Sequence, residues 1–102
     1  MNPKRVKRVD IEMIGRTAGE HPCPVCTNDA DPFFTAAAKQ KHDRIGYKKL
    51  EIDSPEAQKH PHYNRIDSVP YVTKCVTYKS GRRKCHYIKG FRREDFHDLD
   101  RI

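Results

Sequence analysis

The chain has 102 residues, 35% of them hydrophobic and 34% charged, with a formal net charge of +7. That length allows one domain with a single modest core, and the charge demands a heavily solvated surface. Apolar residues still gather in runs (Val9 to Ile14, Phe33 to Ala38, Val69 to Val76), which sets the chain apart from the disordered class. No run of about 18 apolar residues offers a transmembrane helix.

Residues 1–8 read as a flexible basic arm ahead of a single domain over 9–102. The arm carries Lys4, Arg5, Lys7 and Arg8 but lacks the apolar segment of a signal peptide, so a cytoplasmic protein is expected. Further basic residues gather at Lys79 to Lys84 and Lys89 to Arg93. Such a surface attracts acidic partners, or serves only to keep the chain solvated. No aromatic residues interleave with it in a nucleic-acid-binding motif, so nucleic acid is not an expected partner.

Val9 to Ile14 alternates apolar and acidic residues and suits a first strand, which a loop from Gly15 to Pro22 ends. Cys23-Pro24-Val25-Cys26 follows directly. Two cysteines separated by two residues either exchange between dithiol and disulfide or supply half of a tetrahedral zinc site. A helix comes next, and its start has two readings. Asp31 with Pro32 forms a cap-and-first-turn signature, but the helix can also begin near Cys23 and kink at Pro32. A redox role prefers the second, because free amides and the dipole at a helix N-terminus favour thiolates. Gly46 is expected to stop this helix.

Tyr47 to Ile52 reads as a second strand, and Ser54-Pro55 opens a short helix that Pro61 limits. Val69 to Tyr78 is rich in β-branched and aromatic residues and reads as a third strand. Lys79-Ser80-Gly81-Arg82 makes a turn, and Lys84 to Ile88 returns as a fourth strand. Gly90 releases the chain into a short amphipathic helix from Arg93 through Leu99.

The order is β-α-β-α-β-β-α. With a Cys-x-x-Cys between the first strand and the first helix, it resembles the thioredoxin/glutaredoxin superfamily. Val69-Pro70 resembles that family's valine–cis-proline step, which faces the cysteine pair. Tyr78-Lys79-Ser80-Gly81 resembles its hairpin, and Gly90-Phe91-Arg92 resembles the Gly-Phe-Arg step of ribonucleotide-reductase redoxins. The likeness covers roughly residues 9–102. It implies an α/β thioredoxin-like fold with a central four-stranded mixed sheet flanked by helices. It also implies a monomeric protein disulfide reductase that needs no cofactor. Cys23 is the expected nucleophile and Cys26 the resolving thiol. Pro24 keeps the first turn rigid, and Pro24, Val69, Pro70, Tyr71 and Gly90 are expected to bind the substrate. Disulfide-containing proteins are the implied partners, ribonucleotide reductase among them, with thioredoxin reductase or glutathione as upstream reductant.

Cys75 and Cys85 flank the hairpin turn and would face each other across the ladder, within reach of a disulfide. In a reducing compartment two free thiols are expected there. The competing reading is a small zinc-binding module that uses the Cys23/Cys26 pair as a knuckle, completed by Cys75 with Cys85 or by His60 with His62. Neither set has the tight spacing of a strong zinc motif, and Pro61 between the histidines disfavours their chelation. A basic adaptor with an inactive thioredoxin fold is the third possibility.

Overall fold

The computed structural model describes residues 6–101. Strand β1 (Val6–Gly15) takes in Val6, Lys7 and Arg8, three of the residues expected in the basic arm; the other five lie outside the described residues. Its alternating side chains supply two different surfaces. Val9, Ile11 and Met13 are buried on one face, while Asp10 and Glu12 are only half-buried on the other.

β1 pairs in parallel with β2 (Ile45–Glu51), and in antiparallel fashion with β3 (Tyr71–Tyr78). β3 in turn forms an antiparallel hairpin with β4 (Arg83–Lys89). The sheet is therefore mixed, with order β2-β1-β3-β4. A parallel neighbour of β1 demands a long crossover, and the helical segment after the cysteine pair provides it.

That segment resolves the two readings of the helix start. Helical backbone begins at Pro24, and a π-helical turn (Val25–Ala30) runs without a break into helix α1 (Asp31–Gln40). Asp31 N–H reaches five residues back to Cys26 O, while Pro32 has no N–H to donate. The wide turn accommodates the proline, so the chain need not break there. Gly46 does not stop the helix. The turn comes at Lys41, whose backbone leaves the helical region, and Gly46 lies inside β2. Its missing side chain matters there: a Cβ would sit 2.5 Å from both Arg8 Nη2 and Asp10 Oδ1.

The main core lies between the sheet and this helix. Val9, Ile11, Met13, Ile45, Val72 and Val76 meet Cys26, Ala30 and Phe34. Phe34 also packs edge-on to Phe96, with ring centroids 4.9 Å apart. Truncating a phenylalanine buried in this way costs about 3–5 kcal/mol. The expected C-terminal α-helix is instead a 3₁₀ segment (Arg93–Arg101) broken at Phe96. Its buried residues, Phe96 and Leu99, are three apart, the spacing that lines up side chains on a 3₁₀ helix.

The opposite sheet face carries a smaller cluster of Ile14, Leu50, Ala57 and Tyr71. Only helix α2 (Pro55–Gln58), capped by Ser54 Oγ, and a 3₁₀ turn (Tyr63–Arg65) follow β2 to cover it. The architecture is thus α/β, a four-stranded mixed sheet flanked by helices. No helix among the described residues is long and apolar enough to cross a membrane.

Candidate functional site

Cys23 sits where the loop after β1 enters the helix. Its backbone N–H donates to Arg16 O at 2.7 Å, which ties the pair to the end of the central strand. Thr27 fastens the first turn from the other side. Both its backbone N–H (3.0 Å) and its hydroxyl (2.8 Å) donate to Cys23 O. Pro24, exposed, leaves no amide to compete for these acceptors.

The two thiols differ sharply. Cys23 is half-buried, while Cys26 is wholly inside. Cys26 N–H donates to Cys23 Sγ at 3.4 Å, a donor that a thiolate at Cys23 would accept. Burial pushes the Cys26 thiol up to about 12, and its hydrogen bond with the Cys23 side chain pushes the same way. Gly15 makes room for it. A Cβ at Gly15 would lie 3.0 Å from Cys26 Sγ.

Across the site the Val69–Pro70 peptide bond is cis. The Cys23 thiol faces the Val69 carbonyl at 3.8 Å. Gly90 N–H donates to Pro70 O at 2.8 Å, and Gly90 holds a φ of +84°, which favours glycine. Cys23, Cys26, Val69, Pro70 and Gly90 are therefore gathered at one end of the sheet. Tyr71 does not join them. It is buried in the cluster on the opposite face, and its hydroxyl meets His62 Nδ1 at 2.7 Å. The alternation of β3 sends it there, because Val72 takes the side facing Cys26.

Behind Cys26 lies a polar group that sequence reasoning passed over. Tyr47 OH donates to Asp31 Oδ1 at 2.7 Å, and Lys49 Nζ lies 3.7 Å from Asp31 Oδ2. Burial raises the Tyr47 phenol well above its usual range. The Asp31 hydrogen bond, the Asp31 charge and Cys26 add to that rise. Asp31 was legible only as a helix cap, yet its side chain ties α1 to β2. The acids of β1, Asp10 and Glu12, lie on the other face. They pair there with Arg8 (2.8 Å) and approach His60 (3.9 Å) respectively.

The donors of the zinc alternative are scattered. Cys75 and Cys85 are register partners and are joined in a disulfide, with Cα atoms 4.0 Å apart, where two free thiols were expected. The turn at Lys79–Arg82 makes the two cysteines, ten apart in sequence, direct partners across the hairpin. His60 accepts from His62 N–H at 2.9 Å through Nδ1 and meets Thr73 Oγ1 at 3.2 Å. No group of three or more His, Cys, Asp or Glu side chains is placed to hold a metal among the described residues. Comparison with known proteins finds no match to any family model, curated protein or solved structure.

Proposed function

We propose that this chain is a thiol–disulfide oxidoreductase of thioredoxin-like fold that reduces protein disulfides through Cys23 and Cys26. The observation that carries the reading is the unequal pair: a half-buried Cys23 whose sulfur takes a hydrogen bond from the backbone of a fully buried Cys26. The strand order β2-β1-β3-β4 and the cis Val69–Pro70 bond facing the pair support the fold assignment.

In this mechanism Cys23, as thiolate, attacks one sulfur of the substrate disulfide. A Cys23–substrate bond forms and the other substrate sulfur leaves as a thiolate, which takes a proton. Cys26 then loses its proton and attacks Cys23 Sγ. The Cys23–Cys26 disulfide forms and the second substrate thiol departs. Two electrons pass to the substrate, and two protons are taken up by its sulfurs.

Burial of Cys26 keeps it protonated and out of competition while Cys23 selects the substrate. The Val69 carbonyl, beside Cys23, is the main-chain group against which an extended substrate strand lies, with the buried Pro70 holding it in place. Regeneration falls to thioredoxin reductase or glutathione, with ribonucleotide reductase as a client; both rest on the resemblance carried by Gly90-Phe91-Arg92.

Insulin reduction driven by dithiothreitol tests the reading. The protein is expected to accelerate precipitation of the insulin B chain, Cys23→Ser to abolish the effect, and Cys26→Ser to trap a mixed disulfide. A Cys23→Ser variant as active as the parent would remove this reading.

A further inference from the structure

β4 is an edge strand, paired with β3 on one side only. From Lys79 to Arg93 the chain carries seven lysines and arginines and not one aspartate or glutamate. All seven are exposed. Arg83 approaches Asp10 at 3.6 Å and Arg92 approaches Asp95 at 3.5 Å. Lys79, Arg82, Lys84, Lys89 and Arg93 form no ion pair among the described residues. The seven residues of β4 alone span about 23 Å at the usual strand rise. The result is a cationic strip with an open main-chain edge.

The strip leads to the cysteine pair. Lys89 is the register partner of Tyr71, and the next residue, Gly90, bonds the Pro70 carbonyl. Pro70 follows Val69, whose carbonyl faces Cys23. Beside this end an open groove of about 460 Å³ runs between Lys74, His86, Ile88, Lys89, Arg92 and one acidic residue, Asp95. Lys74 and Ile88 reach the core from that side of the sheet, the side on which Cys26 is packed.

We propose that the β4 edge is a docking strip for an acidic, extended segment of the disulfide-bearing protein that Cys23 reduces. This rests on the redox reading above and adds to it the substrate's charge and the direction of approach. Two features favour a polypeptide over a nucleic acid. An open strand edge offers alternating N–H and C=O groups that match another strand's main chain. Stacking platforms for bases are also few, since Tyr87 and His86 are the exposed aromatic rings on β4. Lysines on an edge strand also discourage pairing with a neutral or cationic strand, so the same residues select for an acidic one.

The test uses two synthetic peptides with the same internal disulfide. One carries a run of glutamates on one side of the cystine, and the other carries serines there. At low salt the acidic peptide should be reduced with a kcat/KM about tenfold or more above the serine peptide, and salt should shrink the gap. Lys84→Glu combined with Lys89→Glu should lower the acidic peptide's rate by a similar factor and leave the serine peptide unchanged.

Binding is followed separately by fluorescence anisotropy of the glutamate sequence with its cysteines replaced by serine, so docking is read without redox chemistry. Equal rates for the two peptides, or no binding of the redox-inert peptide, would overturn the proposal while leaving the dithiol activity standing. Tighter binding of a single-stranded oligonucleotide that the same double variant abolishes would assign the strip to nucleic acid and also overturn it. Reduction of neither peptide, with binding intact, would strike the redox reading and spare the docking surface.

Discussion

Gly15 and Cys26 are in steric register: a Cβ added to the glycine would stand 3.0 Å from the cysteine's Sγ and 3.3 Å from its Cβ. Met13 Cε closes a third side at 3.4 Å. Because Cys26 is short and fully buried, it has little room to yield. Gly15→Ala should therefore destabilise the reduced protein by about 1–3 kcal/mol, the usual cost of overpacking. In the proposed reaction it should also slow release of the mixed disulfide, since Cys26 is the group displaced. Urea unfolding and single-turnover release kinetics measure the two effects. A variant with unchanged midpoint and rate would show that Cys26 moves aside freely.

Cys26 also makes the reduced protein sensitive to alkali. Its thiol stands at about 12 in the fold, against an ordinary value of 9.0. The fold thus favours the protonated thiol. The stability this contributes is fully present below pH 9 and lost as pH rises from about 9 toward 12. Tyr47, also raised, adds a loss that begins near pH 10. Urea midpoints at pH 8 and pH 10.5 should fall for the parent and fall less for Cys26→Ala, which isolates the thiol from the phenol. Parallel losses in the two proteins would remove Cys26 as the cause.

Strands β1 and β3 are the most legible, because β1 alternates apolar and acidic residues and β3 is a β-branched and aromatic run. That Cys75 and Cys85 face each other across the hairpin was legible from the turn at Ser80, but the bond between them was not, since free thiols were expected there. What escaped notice depends on contacts distant in sequence. Gly46 looks like a helix stop from its neighbours, but its lack of a side chain serves Arg8 and Asp10 on the adjacent strand. Asp31 has the local signature of a cap, while its partner Tyr47 is sixteen residues on. The start of the helix was ambiguous because Pro32 suggests a break, and a π-helical turn absorbs it instead. The family resemblance implies a place for Tyr71 in the substrate groove, but strand alternation turns its side chain to the other face.

His60 should titrate below its usual range. Its side chain is 6% exposed, and burial lowers its pKa; the nearby His62 adds to this and Glu12 works against it. Thr73, Tyr71 and Tyr87 complete its surroundings. The fold favours the neutral ring. The resulting stability is present above about pH 6.5 and lost as pH falls through the lower folded value. NMR titration of the imidazole proton signals should give a midpoint under 6.5 for His60. A midpoint at or above 6.5 would mean that Glu12 outweighs burial.

The Cys75–Cys85 disulfide lies on the face away from Cys26, since Cys75 shares its side of β3 with Tyr71 and Thr73. It closes a loop of ten residues in sequence. In the unfolded chain that closure is worth about 2–3 kcal/mol on chain-entropy grounds. The hairpin ladder would survive its loss, because β3 remains anchored by β1 on its other side. The double variant Cys75→Ser with Cys85→Ser should therefore unfold at lower urea, by an amount matching that free energy. Its rate of insulin reduction should stay within about twofold of the parent, since neither sulfur touches the site. A collapse of insulin reduction in a variant that still folds would tie this disulfide to the reaction at Cys23. An unchanged urea midpoint would mean that the unfolded hairpin already holds its ends together without the bond.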